Sequence, residues 1–175
     1  TRSGEFIVAD LESMPVLRGE TTFKSADFNF WGVTFTSDAS AFYATLGTGG
    51  RAHLVRGDLQ SKTMRLVLDD VECPSLSPDK KRVAFKRRAP ADAAGRRIWR
   101  LHVLDLTTGR ETLLDKEVRN VDDQVEWLND RELLYSLPRS VTQATAATDV
   151  WAIAADGGAA PWLRLPLAFS PSALR

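Results

Sequence analysis

Short apolar runs of about five residues, each followed by a polar turn, recur along most of the chain. The runs at residues 31–35 and 41–45 are typical, with Trp-Gly-Val-Thr-Phe followed by Ala-Phe-Tyr-Ala-Thr. Aromatic and β-branched residues dominate them, as expected for half-buried pleated strands. Helical periodicity is nearly absent, so the pattern predicts an all-β chain.

The apolar runs form three groups of four, and each group has the same order of strands and turns. The groups cover residues 31–35, 41–45, 52–56 and 64–68; 72–76, 82–85, 98–104 and 111–114; and 124–127, 132–135, 149–154 and 162–165. An aspartate follows the third strand of each repeat, and Asp10, Asp58, Asp105 and Asp156 are 48, 47 and 51 residues apart. This period predicts a β-propeller with one four-stranded antiparallel blade per repeat.

Polar turns join the strands within each repeat. The turns between the first and second strands contain Asp38, Asp79 and Asp130. An Asp or Asn oxygen at such a place accepts hydrogen bonds from the turn backbone. Gly109 and the pair 157–158 suit hairpins between the third and fourth strands, because glycine adopts positive φ without strain.

The pattern predicts a single propeller segment with incomplete repeats at both ends. The expected blades are residues 6–19 (partial), 30–68, 71–115, 121–166 and 167–175 (partial). The run from Phe6 to Asp10 resembles the third strand of a repeat without its first two strands. Closed propellers typically have at least four blades. We therefore expect either part of a longer propeller or a ring that two copies complete by self-association.

Composition narrows the range of partners. The chain has 175 residues, of which 43% are hydrophobic and 26% charged, as is usual for a globular domain. Its 23 basic and 23 acidic residues give no overall attraction to nucleic acid. No apolar run reaches the ~18–20 residues that a membrane-spanning helix needs, so membrane insertion is not expected. A single cysteine, Cys73, excludes an intrachain disulfide.

Catalytic chemistry is not indicated by the sequence. His53 and His102 lie on predicted third strands but at different places in the repeat, so they do not form a repeated ligand set. The nucleophile motif Gly-x-Ser-x-Gly is missing from the 175 residues. Cys73, next to Pro74, is interpreted as a packed small side chain. We therefore expect no catalytic residue, no cofactor and no enzymatic activity in this chain.

Three carboxylates give one hypothesis for a metal site. Asp122 and Asp123 precede the predicted innermost strand of the third blade, and Glu72 has a comparable place in the second blade. All three side chains are expected near the mouth of the central channel, where they could provide part of the oxygen shell of a hard cation. Because no calcium-loop spacing accompanies them, solvated turn carboxylates are the favoured interpretation.

Charge is unevenly distributed. Residues 79–100 contain nine basic and two acidic residues, whereas residues 105–132 contain nine acidic and four basic residues. Such segments could attract an oppositely charged protein, pair with each other across a blade interface, or remain solvated. The candidate interaction residues are Lys80, Lys81, Arg82, Lys86, Arg87, Arg88, Arg96 and Arg97. The polar connection 138–148 is a second candidate surface.

The repeat resembles a known family. Ser-Pro-Asp-Lys-Lys-Arg-Val-Ala-Phe at 77–85 and Ile-Trp-Arg-Leu-His-Val-Leu-Asp-Leu-Thr-Thr-Gly at 98–109 are similar to the WD-repeat-like unit of TolB-like propellers. Asp-Val-Trp-Ala-Ile-Ala-Ala-Asp-Gly-Gly at 149–158 repeats its second half. The resemblance implies a bacterial, periplasmic or otherwise extracytoplasmic scaffold that binds other proteins; the chain itself shows no export signal, and a cytoplasmic location stays open. The alternative is the substrate-gating propeller of a prolyl-oligopeptidase-type serine peptidase whose catalytic domain lies outside this chain.

Overall fold

The computed structural model describes residues 11–24, 27–139 and 147–172, and this part of the chain is almost entirely β. It begins with a short 3-10 turn at Leu11–Ser13. The strands are β1 (Val16–Arg18), β2 (Thr21–Phe23), β3 (Asn29–Phe35), β4 (Ala41–Thr48), β5 (Arg51–Asp58), β6 (Thr63–Asp69), β7 (Val71–Leu76), β8 (Arg82–Arg88), β9 (Trp99–Asp105), β10 (Glu111–Leu113), β11 (Glu126–Trp127), β12 (Glu132–Pro138), β13 (Thr148–Ala154) and β14 (Trp162–Leu165). Within the described ranges, no helix has the length and apolar character to span a bilayer.

Twelve of these strands form three four-stranded blades. Their orders are β3-β4-β5-β6, β7-β8-β9-β10 and β11-β12-β13-β14, and neighbouring strands within each blade are antiparallel. Each blade is therefore a simple meander in which sequential strands pair. The predicted all-β propeller with three complete blades is confirmed, as a partial propeller with open sheets.

A hairpin of β1 and β2 extends the first blade. Val16 of β1 pairs in parallel with Met64 of β6, so the hairpin adds two strands at the outer edge of that sheet. Residues 16–23 thus continue the sheet of the first complete blade. The predicted strand at 6–10 lies outside the described residues. Residues 167–172 contain no strand.

The turns between first and second strands are closed by side chains, as predicted. The Thr36 hydroxyl donates to Asp38 at 2.7 Å, and the Ser40 N–H donates to the same carboxylate at 3.1 Å. Ser77 and Asp79 repeat this arrangement in the second blade, with an Oγ–Oδ1 distance of 2.5 Å. These contacts satisfy backbone groups that would otherwise depend on water.

The third turn is capped by its asparagine, in agreement with the expected Asp or Asn oxygen. Asn129, rather than Asp130, accepts the hydrogen bond from the turn backbone, with the Arg131 N–H at 2.8 Å. The reason is that this turn is one residue shorter, since Leu128 N–H bonds to the Glu132 carbonyl. Asp130 instead accepts the Asp79 N–H at 2.8 Å and so links the second and third blades.

Two hydrophobic interfaces between blades hold the arc together. We call the interface of the first and second blades the first seam and that of the second and third blades the second seam. Fully buried side chains of the first seam include Leu54, Leu76, Val83 and Phe85. The second seam includes Leu101, Leu114, Val121, Trp127, Leu133, Tyr135 and Ile153, all with 0% exposure. Burying a side chain of this size contributes about 1.5–3 kcal/mol, so the seams are the main source of stability.

Hydrogen bonds from β7 to the first two strands of the first blade reinforce the first seam. The Leu76 N–H donates to Thr34 Oγ1 at 3.3 Å, and the Cys73 N–H donates to Thr45 Oγ1 at 2.9 Å. Gly32 and Cys73 occupy equivalent bulges and both have positive φ, 61° and 54°. A Cβ on Gly32 would lie 3.1 Å from the Cys73 Cα, so the close approach of these strands favours glycine here.

The blade ends define two faces. We call front face the end that carries the β4–β5 turn at residues 49–50, the β8–β9 connection at 89–98 and the end of β12; residues 140–146 of the candidate surface 138–148 lie outside the described residues. We call back face the opposite end, which carries the capped turns that follow β3, β7 and β11. Strand β8 has seven residues, so about 20 Å separates the two faces.

The outer strand of the third blade presents apolar side chains to solvent. Leu163 and Leu165 of β14 are 47% and 53% exposed, and Leu167 and Phe169 beyond it are 70% and 68% exposed. Contiguous apolar surface of this kind promotes association.

We expect the isolated chain to associate as its concentration rises, because this apolar surface is available for contact. Light scattering should show a mass above 19.4 kDa that falls toward this value in the double variant Leu163→Glu, Leu165→Glu. The control Val118→Glu, at an exposed loop valine, should leave the association unchanged. A wild-type chain that remains a monomer at all concentrations would contradict the expectation.

Candidate functional site

A cleft of about 600 Å³ opens on the front face at the first seam. The first blade contributes Trp31 from β3 and the turn at residues 47–52. The second blade contributes Glu72, Arg88 and, from β9, Trp99. Aromatic walls with a few charged groups are typical of a site that binds a ligand or a peptide segment.

Glycine 47 makes room for Trp31 in the wall of the cleft. A Cβ at Gly47 would lie 2.5 Å from Cζ3 of the Trp31 ring, which real structures do not tolerate. The indole therefore packs directly on the backbone of β4. The adjacent turn residues Gly49 and Gly50 have φ of 56° and 71°, as a tight two-residue hairpin requires.

Trp99, on the opposite wall of the cleft, is contacted by two cations. The Arg88 guanidinium lies 4.6 Å and the Lys86 ammonium 5.0 Å from the centre of the indole ring. Trp99 is only 7% exposed. Cation–π contacts of this geometry hold the side chains of Arg88 and Lys86 in place.

The β8–β9 connection places Arg96 and Arg97 in different environments. The Asp92 carboxylate accepts hydrogen bonds from the Ala94 and Arg96 N–H groups, each at 2.9 Å, and from Arg96 Nε at 2.9 Å. These bonds lower the pKa of Asp92 below its usual value. Arg97, whose Nε donates to the Ala89 carbonyl at 3.1 Å, lines the cleft.

Some charged side chains of the cleft form ion pairs, and others do not. Arg51 pairs with Asp70 at 3.6 Å, and Glu72 lies 3.6 Å from Lys86. Arg88 and Arg97 have no carboxylate within ion-pair distance among the described residues. Two guanidinium groups are thus available to an anionic ligand.

A second cleft of about 850 Å³ continues the first toward the outer edge of the blades. Both clefts are lined by Asp70, Arg88 and Arg97. The outer cleft adds Val67 and Pro90 as apolar surface. Together the two clefts form a radial groove along the first seam, which we call the seam groove.

The structure places a lysine where the sequence suggested a metal site. Lys86 Nζ lies 3.1 Å from Asp122 Oδ1, 3.2 Å from the Asp122 carbonyl and 3.6 Å from Glu72 Oε2. Asp123 does not join these contacts, and its Oδ2 is enclosed without a hydrogen-bond partner in the described part of the chain. No group of three or more metal-ligating side chains is found among the described residues. The ammonium group of Lys86 thus lies between the carboxylates of Glu72 and Asp122.

Lys86→Met should destabilise the chain by about 1–3 kcal/mol, because it leaves the largely buried Glu72 carboxylate without its counter-charge and the Asp122 carbonyl without its donor. Urea denaturation provides the measurement. Lys81→Met removes the same charge from an exposed side chain and should change the free energy of unfolding by less than about 0.5 kcal/mol. Equal effects of the two substitutions would contradict the structural role of Lys86.

The eight basic candidate residues do not form one surface. Lys80, Lys81 and Arg82 lie at the back-face turn, whereas Arg88, Arg96 and Arg97 lie on the front face. The expectation that Lys86 belongs to an exposed patch is wrong, since it is 4% exposed. Arg87 pairs with Glu111 at 3.1 Å within its own blade.

Three basic residues contact the acidic segment that follows them in the sequence. Arg82 donates to the Asp130 carbonyl, Lys86 reaches Asp122, and Arg100 Nε donates to the Glu117 carbonyl at 3.0 Å. Only the contact of Lys86 with Asp122 joins opposite charges, whereas Arg82 and Arg100 bind main-chain carbonyls.

A buried carboxylate lies behind the second seam. Glu117 is 1% exposed, and its carboxylate accepts hydrogen bonds from Arg119 Nε at 2.8 Å and from the Tyr135 hydroxyl. The Arg119 guanidinium also stacks on Trp151 at 3.9 Å. Burial alone would raise the pKa of Glu117, but the bonds from Arg119 and Tyr135 outweigh it and hold the pKa below its usual value. Burial, together with Glu117, raises the pKa of Tyr135.

The lowered pKa of Glu117 makes stability depend on pH. Its contribution is fully present above the usual glutamate value of 4.5 and is lost as the pH falls through the lowered folded-state pKa. Glu117→Gln should therefore cost about 1–3 kcal/mol at pH 7, and the cost should shrink below pH 4.5. Urea denaturation at a series of pH values measures both quantities. The control Asp115→Asn, at an exposed carboxylate, should show neither effect.

The two histidines are packed against neighbouring side chains. His53 is 2% exposed and lies 2.6 Å from Asp69, which also binds Arg18 of the β1–β2 hairpin. His102 stacks on Phe85 with ring centres 5.7 Å apart. Burial and nearby arginines lower the pKa of His102 to about 4. No hydrogen bond joins a serine hydroxyl to either histidine in the described ranges.

Cys73 is buried in the first seam, next to the seam groove rather than in it. Burial raises the pKa of its thiol, which keeps the sulfur protonated and unreactive at neutral pH. These observations agree with the interpretation of Cys73 as a packing residue.

Sequence reasoning missed part of the site. The sequence pattern assigned Trp31 only to a predicted strand and did not single out Arg51. Gly47 and the Gly49–Gly50 turn carry the signal that could have identified them, since glycines beside a strand aromatic indicate close packing.

Comparison with known proteins identifies the architecture. No protein-family model and no curated protein matches the sequence. Among solved structures, the β-propeller domain of the Trilobed protease from Pyrococcus furiosus matches with a TM-score of 0.56 and 18% identity over 82% of this chain and 45% of that chain. Pyrococcus horikoshii acylaminoacyl peptidase matches with a TM-score of 0.58 and 16% identity over 81% of this chain and 26% of that chain. A putative TolB from Agrobacterium tumefaciens matches with a TM-score of 0.55 and 11% identity over 81% of this chain and 50% of that chain.

These similarities establish a β-propeller fold. The chain spans half or less of the length of each of these structures. With identities of 11–18%, the likeness shows the fold and not a shared activity.

Proposed function

We propose that this chain is a non-enzymatic protein-interaction module of the TolB-like kind, which binds a partner protein through its front face. The observation that carries the proposal is the seam groove, in which the guanidinium groups of Arg88 and Arg97 lie beside Trp31 and Trp99 without a carboxylate partner among the described residues. Aromatic and arginine side chains together are typical of protein interfaces.

The two faces differ in a way that supports this choice. On the back face, the carboxylates of Asp38, Asp58, Asp79 and Asp105 bond to the backbone of their own turns. The back-face turns thereby use much of their own hydrogen-bonding capacity. The front face has the longer connections and an open groove, and loops on a rigid scaffold are where binding specificity is usually carried.

The partner and location follow from the same proposal. Equal numbers of basic and acidic residues argue for a protein partner rather than nucleic acid, and no membrane insertion is proposed. Self-association through β14 is a further proposed contact, since it would cover exposed leucines. A bacterial, periplasmic or cell-envelope setting is proposed on the repeat resemblance and on the likeness to a putative TolB.

A second candidate is the propeller domain of a serine peptidase. It is favoured by the likeness to the propeller domain of one protease and to an acylaminoacyl peptidase. Its catalytic serine would lie in a domain outside this chain. Labelling of the parent polypeptide by a fluorophosphonate, which reacts with activated serines, would favour this candidate over the scaffold.

The proposed function is tested by charge reversal on one face at a time. The front-face variant Arg51→Glu, Arg97→Glu and the back-face control Lys81→Glu, Arg110→Glu each change two exposed side chains. With the wild type and both variants as bait in a lysate of the source organism, we expect a partner that wild type and the back-face control capture and the front-face variant loses. Capture unchanged by the front-face substitutions would contradict the proposal.

A further inference from the structure

We propose that the seam groove binds an acidic peptide segment in extended conformation, with its carboxylates on Arg88 and Arg97. This inference rests on the proposed function and names the chemistry of the partner. The groove is open to solvent along the front face, and its two clefts share both arginines.

The dimensions of the groove suit an extended chain. Its first-blade wall crosses the ends of β3, β4, β5 and β6 and then reaches Arg18 of β1. Five neighbouring strands at about 4.8 Å spacing span about 19 Å, which corresponds to about six residues of extended peptide. A short segment therefore fits the groove over its whole length.

The unpaired arginines of the seam groove indicate that its ligand is negatively charged. Arg18, Arg51 and Arg87 are already paired, with Asp69, Asp70 and Glu111 respectively. Arg88 and Arg97 are the guanidinium groups in the groove that have no such partner among the described residues. Because a guanidinium forms two parallel hydrogen bonds with a carboxylate, aspartate and glutamate side chains suit these two positions.

The apolar parts of the groove favour a peptide over an acidic sugar. Sugar rings bind proteins by stacking on an aromatic face; here one side of the Trp31 ring is covered by Gly47, and Trp99 is 7% exposed with Arg88 and Lys86 against its ring. Val67 and Pro90 instead provide aliphatic surface in the outer cleft. A segment in which acidic and aliphatic side chains alternate, as they do along an extended strand, matches both features.

The test uses the full 175-residue chain and fluorescein-labelled octapeptides, with binding measured by fluorescence anisotropy. One peptide alternates Asp and Leu, and the other has Asn at every Asp position. We expect the acidic peptide to bind at least tenfold more tightly than its amide counterpart, with affinity that falls as salt is raised. Equal affinity for the two peptides would overturn the proposal.

Matched variants locate the binding. Arg97→Gln and Arg88→Lys should each weaken binding of the acidic peptide about tenfold, the second because lysine keeps the charge but loses the planar fork. Lys81→Gln and Arg110→Gln remove charge from the back face and should leave the affinity unchanged. Thermal unfolding of each variant confirms that its fold is retained. Full affinity in Arg97→Gln would overturn the proposed site.

Two further outcomes separate the alternatives. Displacement of the acidic peptide by tri-galacturonate at equal concentration would assign the groove to acidic sugars and overturn the peptide proposal. If the front-face variant loses its captured partner while the acidic octapeptide shows no preference over its amide, the interaction function stands and the acidic-peptide inference fails.

Discussion

The packing of one blade against the next is the interaction on which the rest of this structure depends. A single four-stranded sheet cannot cover both of its faces, so each blade buries its apolar side chains only against a neighbour. Trp127 combines apolar packing with a hydrogen bond between blades. Its ring is fully buried in the second seam, and its Nε1 donates to the Ser75 carbonyl of the preceding blade at 2.9 Å. The Ser75 hydroxyl in turn donates to Glu126 at 3.0 Å.

The same packing accounts for the candidate site. The seam groove lies where the front-face ends of the first and second blades meet. The side chains at those ends are held by contacts within and between blades. Lys86 illustrates this, because its ammonium lies between Glu72 of its own blade and Asp122 of the connection to the third blade and packs on the Trp99 ring. A rigid groove loses little conformational entropy when a segment binds, which favours recognition by a preformed surface.

Much of the fold was readable from the sequence, because it depends on local signals. Alternating apolar residues and turn aspartates such as Asp58 and Asp105 located every strand of the three blades, with boundaries that differ by a few residues. The candidate site was harder to predict from the sequence, because its properties depend on contacts between residues of different blades. The sequence shows Lys86 as one of nine cations, while its ion-pair partner Asp122 lies 36 residues away. Arg96 and Arg97 are neighbours in sequence, and only the Asp92 turn makes one paired and the other available.

The central claim is that the seams make the three blades one cooperative unit. Native-state hydrogen exchange tests this claim most directly. The amides of Cys73 and Leu76 bond across the first seam to Thr45 and Thr34. The account predicts that both amides exchange with the same opening free energy as Phe85 in the centre of β8, and that amides of β14 exchange by smaller, local openings. Exchange of Cys73 and Leu76 through low-energy local openings, with β8 still protected, would show that the blades are stable without their seams and would contradict the account.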